Sequence, residues 1–386
     1  MSVEQKAARA AAIANAFRMS RRSAVMGLTG LASGAFFGRV FSSPAQAAVG
    51  GELQIMAWEG YDLTNELAGW REANGVSVSS TSIAVQDDVQ TKFIAGNPPP
   101  IDLAEYNQAY SDLYIKQMKI VKPIDVSHVP NYNADNLFGV FYNQPTWFSD
   151  GKLWGSPYLW GFNTLLCNAK AEKKPESYAD LLDPSFKGKI AIMDDTVSTW
   201  PVAARVAGLG AKYPLLTKDE LGQAFAELTK YRDQARLIAL NQGELLNFMV
   251  SGEITAVLCA DPSIMGQAEA QGVTVEMVIP KEGPVLWVDA WFLPISADNV
   301  ETAEAFMNES LDPEVQAHVA MAVVQAPVSK KAVELLDEKS RQRIDYSKID
   351  ELFAAGLPGI PPLESDGTHA TYNDWIEAWQ SFKAGM

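Results

Sequence analysis

The chain is poor in the residues that build metal centres and disulfide scaffolds. Its 386 residues include only two cysteines and three histidines, and none of them stands at a metal-ligand spacing. Cys167 and Cys259 each fall in a strand-like segment, so two buried thiols are the expected state and a single disulfide is the alternative. We therefore expect no metal centre, no resident cofactor and no disulfide-rich scaffold.

No apolar run in the sequence is long enough to serve as a membrane anchor. The uncharged stretch 23–38 falls short of the ~20 residues that a span requires. The pair Arg21 and Arg22 precedes it, and an Ala-Gln-Ala cleavage pattern ends at Ala47. These features predict a twin-arginine-type signal peptide over residues 1–47 and a periplasmic mature protein; an ordinary secretory signal is the alternative.

Basic residues are outnumbered by acidic ones. The chain has 31 Lys and Arg against 47 Asp and Glu, a formal net charge of −16. Because residues 1–47 carry a net +5, the remainder carries −21. A surface this acidic repels nucleic acid and anionic lipid and permits a cationic ligand. The alternative is that the acidity serves solubility alone.

The sequence also lacks the common catalytic signatures. It has no Gly-x-Ser-x-Gly elbow, no His-Glu-x-x-His pair and no phosphate-binding glycine-rich loop. Asp194 and Asp195 follow a predicted strand, where adjacent side chains point to opposite faces and are poorly placed to act as an acid–base pair. We therefore expect no catalytic residue and no enzyme; an exported hydrolase that uses Asp194 or Asp195 is the alternative from another class.

Short apolar strands alternate with helical stretches along the rest of the chain. The strand-like segments are 52–58, 189–193, 255–259 and 275–279, and the helical ones are 63–73, 221–232 and 244–250. This alternation predicts an α/β fold. Residues 48–386 exceed what one core usually holds, so two lobes are expected. Polar and aromatic residues fall at carboxyl ends of strands, where open α/β sheets bind ligands.

Aromatic residues recur in three segments with loop character, 58–61, 157–161 and 286–291, and the first and third of them also carry a carboxylate. An ammonium group binds well over a Trp or Tyr face when a carboxylate lies beside it, at ~0.5 to 2 kcal/mol for each aromatic face. Tryptophan as a core filler is the alternative for any one of these residues. The recurrence of the pattern in three loops favours a site for a cation.

An ordered series of short segments carries a resemblance to a known family. The series is Ala57–Tyr61, Pro157–Gly161, Tyr178–Leu182, Phe186–Lys189, Asp194–Asp195, Pro280–Gly283 and Trp287–Asp289. In this order, over residues 50 to 385, it resembles the spermidine/putrescine-binding proteins of bacterial ABC importers. The resemblance implies a type II periplasmic binding fold, with two α/β lobes joined by crossing strands and a ligand held between them.

The resemblance also implies lobe boundaries and hinge positions. The N-terminal lobe is expected over 48–160 with 290–331, and the C-terminal lobe over 161–289 with 332–386. The expected crossings lie near Trp160–Gly161, near Asp289–Ala290 and, for the third, around Ser329 to Ala332.

Seven positions are expected to form the ligand site from this resemblance. Five match aromatic or acidic ligand residues of the family, namely Trp58, Tyr61, Asp195, Trp287 and Asp289. Two depart from it, with Ser198 where the family has Glu and Cys259 where it has Trp. A third departure, Val324 in place of Tyr, lies before the segment Gln325-Ala326-Pro327.

The departures bear on the ligand that the resemblance implies. A linear polyamine needs anionic groups at both ends, and Glu59 or Asp261 could replace the missing Glu. We expect a monomeric periplasmic component of an ABC importer that captures a small organic cation and delivers it to a membrane permease. The open alternatives are a polyamine, a quaternary amine or an amino-acid derivative.

Overall fold

The computed structural model describes residues 49–58, 60–83, 86, 89, 92–93, 100–354 and 357–385. The predicted signal segment 1–47 and Glu59 lie outside the described residues. The described strands are β1 Gly51–Trp58, β2 Val76–Ile83, β3 Leu103–Asn107, β4 Val121–Lys122, β5 Phe148–Ser149, β6 Lys152–Leu153, β7 Ser156–Asn168, β8 Ile190–Met193, β9 Ala235–Ala239, β10 Ala256–Ala260, β11 Val275–Val278, β12 Val285–Pro294 and β13 Ala326–Pro327.

Helices alternate with these strands, which confirms the predicted α/β class. The described α-helices are α1 Ala68–Asn74, α2 Thr196–Val206, α3 Lys218–Gln234, α4 Gln242–Ser251, α5 Ile264–Ala270, α6 Val300–Ser310, α7 Pro313–Val323, α8 Lys330–Val333, α9 Glu338–Arg341, α10 Ile349–Phe353 and α11 Tyr372–Ala384. Among the described residues, no helix is both long enough and apolar enough to cross a bilayer.

Two long antiparallel strands hold the main sheet together. Its order is β2-β1-β3-β12-β7-β10-β8-β9, with β4 beside β12 and with β11 and β13 beside β7. Strands β1, β2 and β3 pair in parallel, and so do β8, β9 and β10. Between these groups, the first half of β7 pairs with β12 and its second half with β10 and β11. All ten residues of β12 are buried, as expected for a strand covered on both faces.

The apolar side chains form two groups of core clusters that divide along β7. Leu159 and Phe162 pack with β1, β12, α6 and α7, whereas Leu165 packs with β8, β10, α2 and α3. Near the C-terminus, residues 332–353 contribute apolar side chains to the first group. Helix α11 contributes Trp375, Trp379 and Phe382 to the second.

The helix predicted over 63–73 is shorter than expected. The chain runs through turns after β1, and helix α1 begins at Ala68. Leu63 adopts a φ of 52°, in the left-handed region that a right-handed helix excludes. The apolar spacing of Leu63 and Leu67 therefore reflects burial in the core rather than a helix face.

Candidate functional site

The carboxyl ends of both sets of parallel strands carry the candidate side chains. Trp58 ends β1 and Asn107 ends β3, whereas Asp194 follows β8 and Asp261 follows β10. The crossing strand β12 places Asp289 opposite Asn107 on β3 and opposite Leu159 on β7. Sheet register therefore brings together residues that are far apart in sequence, as expected at the carboxyl edge of an α/β sheet.

Asp289 and Tyr61 lie together in a buried acidic environment. Asp289 is only 6% exposed, and the Asn107 side chain hydrogen-bonds to it. Burial, and then the negative charge of Asp261, raise the pKa of Asp289 well above its usual range. Tyr61 packs edge-on against Tyr158 at 5.6 Å, and burial and the charge of Asp289 raise its pKa. The predicted pair Tyr61 and Asp289 is thus one cluster.

Asp261 belongs to the same cluster from the opposite set of strands. It is half-buried, and its carboxylate accepts hydrogen bonds from Gln325 Nε2 at 3.0 Å and from the Ser263 backbone N–H at 2.8 Å. Burial raises its pKa despite these donors. Asp261 is therefore a second carboxylate close enough to Asp289 for its charge to act on it.

A chain of hydrogen bonds joins Trp287 to Asp195. Trp287 Nε1 donates to Asn163 Oδ1 at 3.2 Å, and Asn163 Nδ2 donates to Ser198 Oγ. The Ser198 hydroxyl donates in turn to Asp195, which also caps α2 by accepting the Val197 backbone N–H at 3.0 Å. Burial raises the pKa of Asp195 above its usual value. Three of the predicted site residues therefore form one network through Asn163.

Gly161 allows the side chains of Trp287 and Gln325 to lie close to the backbone of β7. A Cβ at position 161 would lie 2.5 Å from Trp287 Cζ2 and 2.8 Å from Gln325 Oε1, both too short for real contacts. Val324, which ends α7 just before Gln325, adopts a φ of 65° that β-branched residues rarely take. The departure at 324 therefore occurs at a strained turn that presents the Gln325 amide to Asp261.

The remaining two predicted positions have a more structural setting. Trp58 is half-buried and packs against apolar side chains on both faces of the sheet that contains β1, β3 and β12. Cys259 is buried in the second core group beside Tyr178, and burial and the charge of Asp195 raise the pKa of its thiol. Both cysteines are free thiols in this structure. Cys259 thus lies in the buried core next to Asp195.

Asp194 and Asp195 turn away from each other, as the sequence predicts. Asp194 accepts hydrogen bonds from Trp379 Nε1 at 2.7 Å and from Lys383 Nζ at 3.0 Å, which fasten α11 to the end of β8. Asp195 caps α2 on the other side. Because each carboxylate has its own partners, the two do not form an acid–base pair.

Glu105 is a site neighbour that the sequence reasoning missed. It is fully buried on β3, and its Oε2 accepts the Trp58 backbone N–H at 3.0 Å. Burial, and then the charge of Asp289, raise its pKa well above the usual range. The one available signal was a charged residue inside the apolar segment Leu103–Tyr106, since buried charges are rare without a partner.

The candidate site is therefore an acidic cluster without a counter-ion among the residues that the structure describes. In the described part of the chain, no Lys, Arg or His forms an ion pair with its four carboxylates, which belong to Glu105, Asp195, Asp261 and Asp289. The same residues contain no group of His, Cys, Asp or Glu arranged to hold a metal ion. Tyr61 is near three of these carboxylates, and Trp287 is linked to the fourth, Asp195, through Asn163 and Ser198.

Comparison with known proteins settles the family. A model of the bacterial extracellular solute-binding proteins matches residues 69–343, more than half of the chain. The chain belongs to this family. The resemblance and the solute-binding role inferred from the ordered segments are thus confirmed.

Two curated Escherichia coli K12 proteins illustrate the relationship within this solute-binding family. The spermidine/putrescine-binding periplasmic protein is 28% identical over 285 residues, which cover 73% of this chain and 78% of that protein. The putrescine-binding periplasmic protein PotF is 26% identical over 334 residues, covering 82% and 87%.

A solved structure confirms the fold. The spermidine/putrescine ABC transporter substrate-binding protein PotD from Streptococcus pneumoniae superposes with a TM-score of 0.70 at 21% identity. The match covers 86% of this chain and 98% of that structure. Together with the sheet topology, it establishes the type II periplasmic binding fold that the ordered segments predicted.

Proposed function

We propose that this protein captures a small organic cation, a polyamine or a related amine, and delivers it to the membrane permease of an ABC importer. The observation that carries the proposal is the set of carboxylates at Asp289, Asp261 and Asp195: Asp289 is buried, the other two are half-buried, and none has an ion-pair partner among the described residues. Isolated buried charges are costly, and a bound cation removes that cost. Relatives named for spermidine and putrescine support the same class of ligand.

Two lobes that close on the ligand are part of the proposal. The division of the core along β7 supports it, with β7 and β12 as two crossing strands. Residues 332–353 pack with the first core group and Ala370 with the second. We therefore place the third crossing between Phe353 and Ala370, rather than around Ser329 to Ala332. Two hydrogen bonds would then lie near the hinge, one between Gln325 and Asp261 and one between Trp287 and Asn163.

An amine that carries N–H donors fits the site better than a quaternary ammonium. The oxygens of Asp289 and Asp261 are hydrogen-bond acceptors, and a charge-assisted hydrogen bond contributes ~1.5 to 3 kcal/mol. A quaternary ammonium offers only its charge to the aromatic faces. Amino-acid derivatives with a free amine remain the second candidate class, because Ser198 and Cys259 replace the Glu and Trp that the family uses.

Calorimetry with a matched set of ligands tests the proposal. We expect putrescine and spermidine to bind, with spermidine well short of nanomolar affinity, which corresponds to about 12 kcal/mol. Tetramethylammonium should bind more weakly than either, and the neutral isostere 1,4-butanediol should not bind. The proposal fails if no amine binds, and nanomolar spermidine affinity would refute the weakening attributed to Ser198 and Cys259.

We further propose a binding role rather than catalysis, in a monomer that works in the periplasm. The separate partners of Asp194 and Asp195 support the first point. Relatives named as periplasmic proteins support the location. A putrescine sample recovered unchanged after prolonged incubation is the result that fits binding without turnover.

Export through the twin-arginine route is proposed from the sequence of residues 1–47. Replacing both Arg21 and Arg22 by Lys should leave unprocessed precursor in the cytoplasm, because that pathway requires the arginine pair. Fractionation and immunoblotting of cells that express each form provide the measurement. Normal release of mature protein by the double variant would show an ordinary secretory signal instead.

A further inference from the structure

Glu105 lies directly beneath the proposed binding site. It precedes Asn107 by two residues on β3, so both side chains are on the same face of the sheet. On β12, Asn107 pairs with Asp289 and Glu105 pairs with Trp291. The Glu105 carboxyl group is therefore the neighbour, on the same face of β3, of the Asn107 side chain that contacts Asp289.

Only one of the two carboxylate oxygens of Glu105 has a hydrogen-bond partner among the described residues. Oε2 accepts the backbone N–H of Trp58, which fixes the start of the turn that carries Tyr61. Oε1 has no hydrogen-bond partner in the described residues, although it is fully buried. A neutral side chain could cap the same N–H without the desolvation penalty of a carboxylate. An ionisable group at this position is thus the feature that requires an explanation.

Among the described residues, every titratable group found to influence Glu105 is acidic or phenolic. Asp289 lies on β12, Asp62 and Tyr61 belong to the segment after β1, and Tyr158 lies on β7. Burial and the Asp289 charge raise the pKa of Glu105, and no described basic residue offsets them. A cation held at Asp289 would be the nearest positive charge to Glu105.

Building on the proposed function, we propose that Glu105 is a specificity-determining residue, which places a second negative charge behind Asp289 and thereby selects a positively charged ligand over a neutral one of the same shape. A cation beside Asp289 favours the ionised form of Glu105. Binding therefore releases a proton from this carboxyl, and affinity rises with pH until Glu105 is ionised in the unliganded protein as well.

The variant Glu105→Gln separates the charge from the hydrogen bond. Its amide oxygen can still accept the Trp58 N–H, so the turn should keep its position. With putrescine as the probe, we expect affinity about tenfold weaker than wild type at pH 8 and within about twofold at pH 5, because the raised pKa of Glu105 means that lowering the pH favours the protonated wild-type carboxyl. Calorimetry in two buffers of different ionisation enthalpy should show reduced proton release.

Glu304→Gln is the matched control. Glu304 is also a buried carboxylate, but it accepts hydrogen bonds from the Asp125 backbone N–H at 2.7 Å and from His128 at 2.6 Å, away from the site. This variant should keep wild-type putrescine affinity and proton release. Glu105→Val, which removes both the charge and the acceptor for Trp58, should weaken binding at pH 5 as well as at pH 8.

Three results would overturn the inference. They are wild-type affinity in Glu105→Gln at pH 8, an equal loss at both pH values, and proton release unchanged from wild type. Carbon-13 NMR of the Glu carboxyl groups in the wild-type protein provides a readout that needs no variant, since putrescine should shift one buried resonance towards the ionised form. A wild-type protein that binds no amine at all would instead refute the proposed function.

Discussion

Replacing Asp289 by Asn will weaken binding of a cationic ligand and stabilise the unliganded protein at neutral pH. The variant keeps the shape of the side chain but leaves the ammonium group poorly paired, which should cost about 2 to 5 kcal/mol of binding free energy. The opposite effect on stability follows from burial. Asp289 is 6% exposed, with Asp261 and Glu105 nearby and no counter-ion among the described residues.

The expected stabilisation has a defined dependence on pH. Because the folded protein raises the pKa of Asp289, this carboxyl contributes its full stability below the unfolded pKa of about 3.9 and loses it as pH rises towards the folded pKa. Asn cannot ionise, so the variant keeps that stability. The difference in melting temperature between Asp289→Asn and wild type should therefore be small near pH 3 and increase through neutral pH.

Asp102→Asn is a suitable control for this experiment. Asp102 is equally buried, but it accepts backbone N–H groups of Gln54, Asp298 and Asn299 and lies outside the site. This variant should lose stability at neutral pH and keep wild-type affinity. Ligand affinity by calorimetry and the melting temperature of the unliganded protein, measured for both variants, distinguish a binding role from a structural one. Intact affinity with a lowered melting point in Asp289→Asn would make Asp289 a structural residue like Asp102.

The sequence suggests candidate site residues where they follow strand ends or belong to ordered motifs. Asp195 was identified because it follows a strand, at whose carboxyl end open α/β sheets bind ligands, whereas Asp289, which lies inside β12, was identified from the order of the motifs. The structure adds a hydrogen-bonded link from Asp195 to Trp287, two residues before Asp289. The two crossing strands β7 and β12 bring Asn163 and Trp287 between the two sets of parallel strands.

Glu105, Gln325 and Asn163 could not be predicted from the sequence with the same reasoning. Each is a polar residue whose role depends on a partner more than 40 residues away, either through sheet register or through a turn. From the sequence alone, a carboxylate within a strand is equally compatible with a solvent-exposed position at the edge of the sheet. Tertiary structure alone distinguishes these possibilities.

Some of the ordered motif segments turn out to stabilise the fold rather than contact the site. Glu282 accepts the Ser177 hydroxyl and the Tyr178 backbone N–H, and the Tyr178 hydroxyl donates to the Gly283 carbonyl. Arg205 donates to the same carbonyl at 2.7 Å. These contacts hold the turn before β12 against the second core group. The segments that make them therefore helped to align the chain with the family, but they do not contact the candidate site.

Gly161→Ala is the sharpest steric test of the site. The new methyl group would meet the Trp287 ring at 2.5 Å and the Gln325 amide at 2.8 Å. Trp287 cannot shift freely, because its Nε1 is bonded to Asn163 in the chain that leads to Asp195. We expect overpacking to cost about 1 to 3 kcal/mol, and much of it should appear as lost ligand affinity.

Gly222→Ala is its control. Gly222 lies within α3, and a Cβ there would meet nothing within 4 Å. That variant should raise the free energy of unfolding by about 0.8 to 1 kcal/mol through helix propensity and should leave affinity unchanged. Putrescine titrations and unfolding curves for both variants distinguish the roles. If Gly161→Ala binds like wild type, Trp287 and Gln325 must move together without loss, and neither can be a rigid wall of the site.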